Sequence, residues 1–138
     1  MNEIQPYFFN DKIKIIFILI IIFLVILVFY TEIVKNYKIK TTTNNFSIIK
    51  EELSREFSKC TNKESKLIFG GSCSQLPTTE MIANYFNNIR KIKNPFDNHK
   101  GVNGSAGSIS LLNRGNNIIL HVDTNANGGI DIEHIIYF

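Results

Sequence analysis

The sequence predicts an α+β protein with a long N-terminal helix, transmembrane then amphipathic, a second short helix, and a C-terminal three-stranded antiparallel meander. Three observations predict this class. A continuous apolar run lies near the N-terminus. Stripes of apolar residues with helical spacing follow it, and the C-terminal part alternates apolar and polar side chains with period two.

The apolar run covers residues 15–30 and contains no charged residue, Gly, Pro or side-chain amide. At about 1.5 Å per residue it is about 24 Å long, and neighbouring apolar residues extend it toward the roughly 30 Å of a hydrocarbon core. A buried core helix is the alternative, but such a helix normally has a polar face. We predict an N-terminal segment at residues 1–12, a transmembrane helix at residues 13–34 and a C-terminal domain at residues 35–138.

The span is predicted to stay uncleaved, because a signal peptide needs small residues after its apolar run and the first Ala is Ala83. Lysines stand on both sides of the span, at Lys12, Lys14, Lys35, Lys38 and Lys40. The numbers of lysines on the two sides of the span are nearly equal, and the small excess after the span is unfavourable for export of the C-terminal domain.

The cysteines favour export. Cys60 and Cys73 both lie in the C-terminal domain, and a bridge between them would add about 3 kcal/mol of stability in the chain-entropy model. Two free buried thiols are the alternative. The bridge favours an oxidising compartment, so we predict a single-pass protein of the cytoplasmic (inner) membrane with an extracytoplasmic domain.

An amphipathic helix is predicted at residues 45–60. The preceding TTTNN, residues 41–45, weakens or breaks the helix, and Asn44 or Asn45 is a plausible N-cap. Glu51 and Arg55 are spaced as an ion pair on the polar face. The apolar stripe comprises Phe46, Ile49, Leu53, Phe57 and Cys60.

A second helix is predicted to begin at Thr78 or Thr79 and to end before the loop of residues 94–108. Its apolar stripe comprises Met81, Ile82, Tyr85, Phe86 and Ile89. Three strands follow, at residues 108–112, 118–122 and 130–138.

In the last strand, alternation places four apolar residues on one face: Ile130, Ile132, Ile136 and Phe138. Asp131 and Glu133 fall on the other face. His134 falls on the apolar face, so either a bulge resets the strand or the imidazole is partly covered.

Residues 123–134, DTNANGGIDIEH, have part of the spacing of a calcium loop. The candidate ligands are Asp123, Asn125, Asn127 and Asp131, at the first, third, fifth and ninth positions. The twelfth position, which should hold a bidentate Glu, is His134, and strands replace the flanking helices. The same residues suit a tight turn, because Asp and Asn bond their own backbone and two glycines follow. We favour a turn without metal and keep calcium as the alternative.

A basic cluster around the end of the second helix is a candidate nucleic-acid contact. Its members are Arg90, Lys91, Lys93 and Lys100. Lysine and arginine there also complement the negative end of the helix dipole, and the aromatic residues typical of single-strand binding are sparse. DNA contact is therefore the less favoured interpretation.

No enzyme is predicted. The sequence lacks a nucleophile elbow, a phosphate loop and a zinc-ligand spacing, and Cys60 and Cys73 are too far apart for a C-x-x-C redox pair. If Val122 pairs with Ile130, His121 faces Asp131 across the hairpin, and the contact is a surface ion pair or a hydrogen bond. No cofactor is expected.

The order of these elements resembles type IV pilins and the pseudopilins of type II secretion systems. The local likenesses are the Cys60/Cys73 pair after the helix, IKNPFDN after the second helix, and HVDTNANGGIDIEHIIYF at the end. The resemblance implies an inner-membrane anchor, self-association or packing with similar subunits through residues 15–30, and an outward-facing globular domain.

The pilin processing signature is absent. Pilin precursors have a Gly immediately before the apolar run and a Glu inside it, whereas DKIKIIFIL contains neither. The resemblance thus implies either a divergent minor pilin or an anchored relative that does not polymerise. We expect a membrane-anchored structural subunit, or alternatively a non-polymerising binding module for DNA, calcium or a protein partner.

Overall fold

The computed structural model describes residues 7–60 and 65–137, so most of the predicted N-terminal segment and Phe138 lie outside the described residues. The chain divides into two units, Met1–Asn36 and Tyr37–Phe138, and we call the second unit the head. The predicted α+β class is confirmed. Its elements are α1 (Tyr7–Phe57), α2 (Thr79–Asn84), a π-helical turn (Tyr85–Ile89), β1 (Ile109–Asn113), β2 (Asn117–Val122) and β3 (Ile132–Tyr137).

In the first unit, α1 carries the predicted transmembrane segment. Within the described part of the chain, α1 is the one helix long and apolar enough to cross a membrane. The side chains of residues 15–30 are all between 42% and 68% exposed, so no face of this segment is covered by protein. A helix that is apolar all round needs a non-aqueous environment or other helices around it.

The predicted weakening or break at residues 41–45 is wrong, because α1 continues through it. The hydroxyls of Thr41 and Thr43 donate to the carbonyls of Tyr37 and Ile39, 2.9 and 3.0 Å away, which satisfies them inside the helix. Thr42 is 1% exposed and packs inside the head. Tertiary packing on this face therefore overrides the low helix propensity of the three threonines.

The predicted apolar stripe of α1 forms one wall of the head's core. Phe46, Ile49, Leu53 and Phe57 are buried, and Cys60 packs against them just beyond the helix end. From the opposite side the core is closed by a segment within the disulfide loop, by α2 and by the sheet. The other buried apolar residues of this core are Leu67, Phe69, Ile82, Ala83, Phe86, Ile92, Val102, Ile109, Leu111, Ile118, Leu120, Val122 and Ile136.

The second helix begins where predicted, since the Thr78 hydroxyl accepts a hydrogen bond from Met81 N at 3.2 Å. Its predicted stripe is only partly correct. Phe86 is fully buried, whereas Ile89 is 67% exposed. The reason is the π-helical turn, in which Arg90 N bonds Tyr85 O, because its wider winding carries Ile89 away from the buried face.

The sheet has the order β1-β2-β3, and both pairings are antiparallel. One face packs on the core through alternate residues of each strand. His134 lies opposite the buried Leu120 on this face and is partly covered, which is one of the two alternatives that the sequence left open. The outer edge of β1 is occupied, because Ile109 N donates to Gly101 O and Leu111 N donates to the Asn103 side chain.

The predicted start of the last strand is wrong. Strand β3 begins at Ile132, and Ile130 is 60% exposed in the connection before it. Val122 consequently pairs with Ile132, and His121 faces Glu133 instead of Asp131. The cause is the long hairpin loop, residues 123–131, which uses Asp131 for its own hydrogen bonds.

Cys60 and Cys73 form a disulfide, with their Cα atoms 5.3 Å apart. This was one of the two alternatives that the sequence left open. The bridge joins the end of α1 to the segment that carries Leu67 and Phe69 into the core. It therefore fixes a short segment of the chain against the helix that supports the whole head.

Replacing both cysteines by Ala is expected to lower the free energy of unfolding of the head by about 3 kcal/mol, because the unfolded chain regains the freedom of the closed loop. Urea unfolding of the detergent-solubilised chain measures this. Reductant should weaken the wild type by a similar amount and leave the double variant unchanged. The four samples are the wild type and the double variant, each with and without reductant. Equal urea midpoints for all four would contradict the prediction.

Candidate functional site

The hairpin loop between β2 and β3 is organised by the side chain of Asp123. This residue is 9% exposed at the end of β2. Its Oδ1 accepts hydrogen bonds from Asn125 N and Asn127 N, and its Oδ2 accepts one from Gly128 N at 2.6 Å. The carboxylate thus acts as the internal acceptor of a turn, with Gly128 at φ +87°.

Asp131 closes the other end of the loop. Its Oδ2 accepts from both the backbone N and the hydroxyl of Thr124, at 2.7 and 2.6 Å. The Thr124 side-chain hydrogen bond, followed by the backbone one, lowers the pKa of Asp131 below its ordinary value. The two aspartates therefore hold opposite ends of one loop.

The four residues proposed as calcium ligands are used for hydrogen bonds inside this loop. Asn125 Oδ1 accepts from Asn127 N, and Asn127 Oδ1 accepts from Gly129 N. Among the described residues, no group of three or more His, Cys, Asp and Glu side chains is arranged to hold a metal ion. A calcium ion would have to replace these backbone donors around Asp123, and calcium binding stays a prediction.

On the outer face of the sheet, Ser110, His121 and Glu133 form one row across the three strands. His121 Nε2 lies 2.6 Å from Glu133 Oε2, and the imidazole is 16% exposed. A groove of about 340 Å³ lies beside the row, between residues 104–108 and the hairpin loop. No hydrogen bond joins Ser110 to His121, although both are described, so the row consists of a hydrogen-bonded His–Glu pair beside a serine.

The predicted nucleic-acid residues separate into two groups. Arg90 Nε lies 3.1 Å from Glu52 Oε2, so this guanidinium is paired with α1. Lys91, Lys93 and Lys100 are exposed, and Lys93 pairs with Lys100 in an isolated antiparallel bridge. We call residues 91–100 the basic turn.

The basic turn is held by the buried side chain of Asn94, which is 1% exposed. Its Nδ2 donates to Ala106 O at 2.9 Å, and its Oδ1 accepts from Phe96 N at 2.9 Å. Asp97 also bonds within the turn region, accepting from the Ser105 hydroxyl and from His99 N. These two hydrogen bonds, the Ser105 one first, lower the pKa of Asp97.

Sequence analysis missed two buried carboxylates on α1. Glu52 is 6% exposed and accepts a hydrogen bond from the Tyr85 hydroxyl at 2.8 Å. Glu56 is 1% exposed, and its Oε2 accepts from Ile68 N at 3.3 Å. Burial and the Glu52 hydrogen bond raise the pKa of Tyr85. The available clue was that both glutamates directly precede stripe residues, Leu53 and Phe57.

No family model, curated protein or solved structure matches this chain.

Replacing Asp123 by Ala is expected to lower the free energy of unfolding by about 2–3 kcal/mol, because three backbone donors lose one charged acceptor. Asn116→Ala, at an exposed position of the β1–β2 turn, is the control and should change little. Urea unfolding with and without millimolar calcium measures both. A calcium-dependent rise in the wild-type midpoint that Asp123→Ala removes would show a calcium loop instead.

Replacing Thr124 by Val is expected to raise the pKa of Asp131 toward its ordinary value of 3.8, because the larger of its two hydrogen bonds is lost. Since the folded pKa is the lower one, ionised Asp131 stabilises the loop above the unfolded pKa. That contribution disappears as the pH falls through the folded pKa. Carboxyl NMR titration measures the shift, and an unchanged Asp97 is the internal control. An unchanged pKa of Asp131 would contradict the assignment of the Thr124 hydroxyl as the main cause of the lowered value.

Proposed function

We propose that this protein is a membrane-anchored structural subunit, resembling a type IV pilin or pseudopilin, with its head outside the inner membrane. It acts through helix packing, with residues 15–30 contacting lipid and the equivalent segments of neighbouring subunits in a filament or a secretion or uptake assembly. No catalytic step is part of this proposal.

The observation that carries the proposal is the uncovered apolar surface of α1. Every side chain of residues 15–30 is at least 42% exposed, and the run has no polar face. Water is a poor solvent for such a segment, whereas a bilayer or a bundle of similar helices satisfies it on all sides. The backbone needs no further partner, because a helix satisfies its own hydrogen bonds.

The disulfide supports the proposed location. Disulfides persist in oxidising compartments and are rare in the cytosol, so Cys60–Cys73 favours a head exported across the membrane. The resemblance to pilins rests on the order of the elements, the position of the cysteine pair and the C-terminal hairpin. Because the Gly and Glu of the processing signature are absent, membrane anchoring and assembly into a filament have to be tested separately.

A non-polymerising anchored binding module for DNA, calcium or a protein partner is the second candidate. The basic turn is the feature that favours it, because Lys93 and Lys100 bring two positive charges together on the exposed surface. Such a module would be anchored in the membrane in the same way as the proposed structural subunit. It would differ in that no neighbouring copies pack around residues 15–30.

Replacing Leu24 by Asp is expected to lower the share of the chain in carbonate-washed membranes and to remove it from sheared surface filaments. An acidic side chain near the centre of a span costs about 2.5–3.5 kcal/mol of insertion free energy. Ile89→Asp is the matched control, since Ile89 is 67% exposed on the head and should tolerate the change.

Cell fractionation separates the two candidates. Wild-type chain in the sheared filament fraction supports the structural subunit. Wild-type chain confined to membranes excludes filament assembly and favours the binding module, while extraction of the wild type by carbonate would contradict the anchor itself.

A further inference from the structure

Strand β3 forms one edge of the sheet that the structure describes, because its neighbour there is β2 alone. The opposite edge is covered, since Asn103 N donates to Ile109 O and the Asn103 side chain accepts from Leu111 N. An edge strand exposes backbone hydrogen-bonding groups that can pair with another strand. We call the side of Ile132–Tyr137 that faces away from β2 the β3 edge.

The hydrogen-bond pattern decides which backbone groups lie on the β3 edge. Arg114 N donates to Asn117 O, so these two residues form a hydrogen-bonded pair at the β1–β2 turn. Such pairs alternate along an antiparallel ladder, so residues 117, 119 and 121 of β2 bond to β1, and residues 118, 120 and 122 bond to β3. Their partners in β3 are residues 132, 134 and 136. The N–H and C=O groups of Glu133, Ile135 and Tyr137 therefore point outward.

The β3 edge is neither occupied by a described residue nor blocked by its own sequence. Within residues 7–60 and 65–137, no hydrogen bond reaches the outward backbone groups of residues 133, 135 and 137. Proteins commonly block an exposed edge with Lys, Pro or a bulge. The strand IEHIIY contains neither Lys nor Pro, and its register with β2 is continuous from Ile132 to Tyr137. This edge is therefore suited to pairing with another strand.

A second copy of β3 satisfies the edge in one particular register. If two copies pair antiparallel about a two-fold axis at Ile135, this residue faces its own equivalent, and Glu133 faces Tyr137 of the other copy. All three outward-facing residues then exchange backbone hydrogen bonds with each other. A shift by two residues in either direction leaves one of the three without a partner in the strand.

The side chains agree with this register. Leu112, Ile119 and Ile135 form an apolar row across the outer face of the three strands. Pairing about Ile135 would join the rows of the two copies into one. Glu133 would lie beside Tyr137, which is 73% exposed. A parallel pairing in register would instead place Glu133 against its own equivalent, and like charges directly opposite are destabilising.

We propose that two copies of this chain pair through the β3 edge, antiparallel and centred on Ile135, and so form one continuous sheet. This contact joins two heads, so it goes beyond the packing of residues 15–30 in the proposed function. Backbone hydrogen bonds supply the affinity, and the apolar row specifies the register. A second copy is favoured over a foreign strand because the same residues supply both sides of the pairing. An isologous contact of this kind closes on itself and produces pairs.

Single introduced cysteines test the register, because Cys60 and Cys73 are bonded to each other. In the proposed pairing the two Cα atoms at position 135 lie about 5.5 Å apart, which suits a disulfide. Positions 133 and 137 each lie four residues from their own equivalents, about 14 Å along the strand. The full chain in detergent is oxidised mildly, and the disulfide-linked dimer is measured by non-reducing electrophoresis.

We expect Ile135→Cys to form the linked dimer. Glu133→Cys and Tyr137→Cys should each stay monomeric when oxidised alone, because their equivalents are too far apart. When the two variants are mixed before oxidation, the dimer should form between one chain of each kind. Contacts between the spans alone would not produce this pattern.

A proline at position 135 tests the backbone pairing itself. Adding Ile135→Pro to both members of the mixed pair should abolish the linked dimer, because proline lacks the N–H that bonds to the second copy. The ladder to β2 uses residues 134 and 136, so it keeps its hydrogen bonds. Ile135→Ala is the matched control. It also removes the isoleucine side chain but keeps the N–H, and it should retain the dimer.

Circular dichroism during heating establishes that each variant is folded, and the cysteine pattern decides alone if the proline variant is not. Absence of a dimer with Ile135→Cys overturns the inference. So does equal cross-linking of Glu133→Cys or Tyr137→Cys alone, or a folded proline variant that still cross-links. Ile135→Cys chains that cross-link in cells to a different protein, and not to each other, identify a foreign strand and overturn the second copy. These outcomes leave the proposed function standing, because Leu24→Asp tests the span separately.

Discussion

Burial of one face of α1 is the interaction on which the rest of the head depends. Among the described residues of the head, α2 is the one other helix of regular winding and is six residues long, and the sheet described there has three strands. Neither could form a core alone, because a short helix and a small sheet bury too little apolar surface to offset the entropy of folding. The stripe from Phe46 to Phe57 supplies the missing wall. The rest of the head packs directly or indirectly on this wall.

Two carboxylates inside that wall determine where the neighbouring segments attach. A buried charge without partners is costly, and both Glu52 and Glu56 obtain theirs from other parts of the head. Glu56 accepts a hydrogen bond from Ile68 N and pairs with the nearby Lys59. Glu52 accepts one from the Tyr85 hydroxyl and forms an ion pair with Arg90. A sliding of either segment along α1 would break these contacts. The carboxylates thus specify the register of the chain on the helix, while the apolar stripe supplies the stabilisation.

Most helices and strands could be predicted from the sequence, because the apolar periodicity of each one depends on residues close together in the chain. The apolar run, the stripe of α1, the Thr78 cap and the alternation in β2 all depend on neighbouring residues. The errors occur where distant contacts decide. The threonines at 41–43 stay helical because the head covers Thr42, and Ile89 leaves the core because of the π-helical turn.

The candidate sites were predictable to a smaller extent, for the same reason. Asp123 could be identified as a turn residue from the glycines after it. Asp131 was misplaced because its bond to Thr124 closes a loop longer than the expected turn. The separation of Arg90 from the lysines depends on Glu52, a residue 38 positions away in the sequence. Spacing along the chain carries no information about that contact.

The contacts that α1 makes at Lys38, Asn45 and Glu52 have a mechanical consequence. Their partners are Phe96, Lys93 and Arg90, in that order. The contacts are thus spaced along the helix axis and join it to a segment, residues 90–96, that runs antiparallel to it. A pull along α1 would load all three at once, as in shearing, instead of opening them one after another, as in peeling. Contacts loaded together share the force, so this geometry suits a head that is held through its helix while the surroundings pull on it.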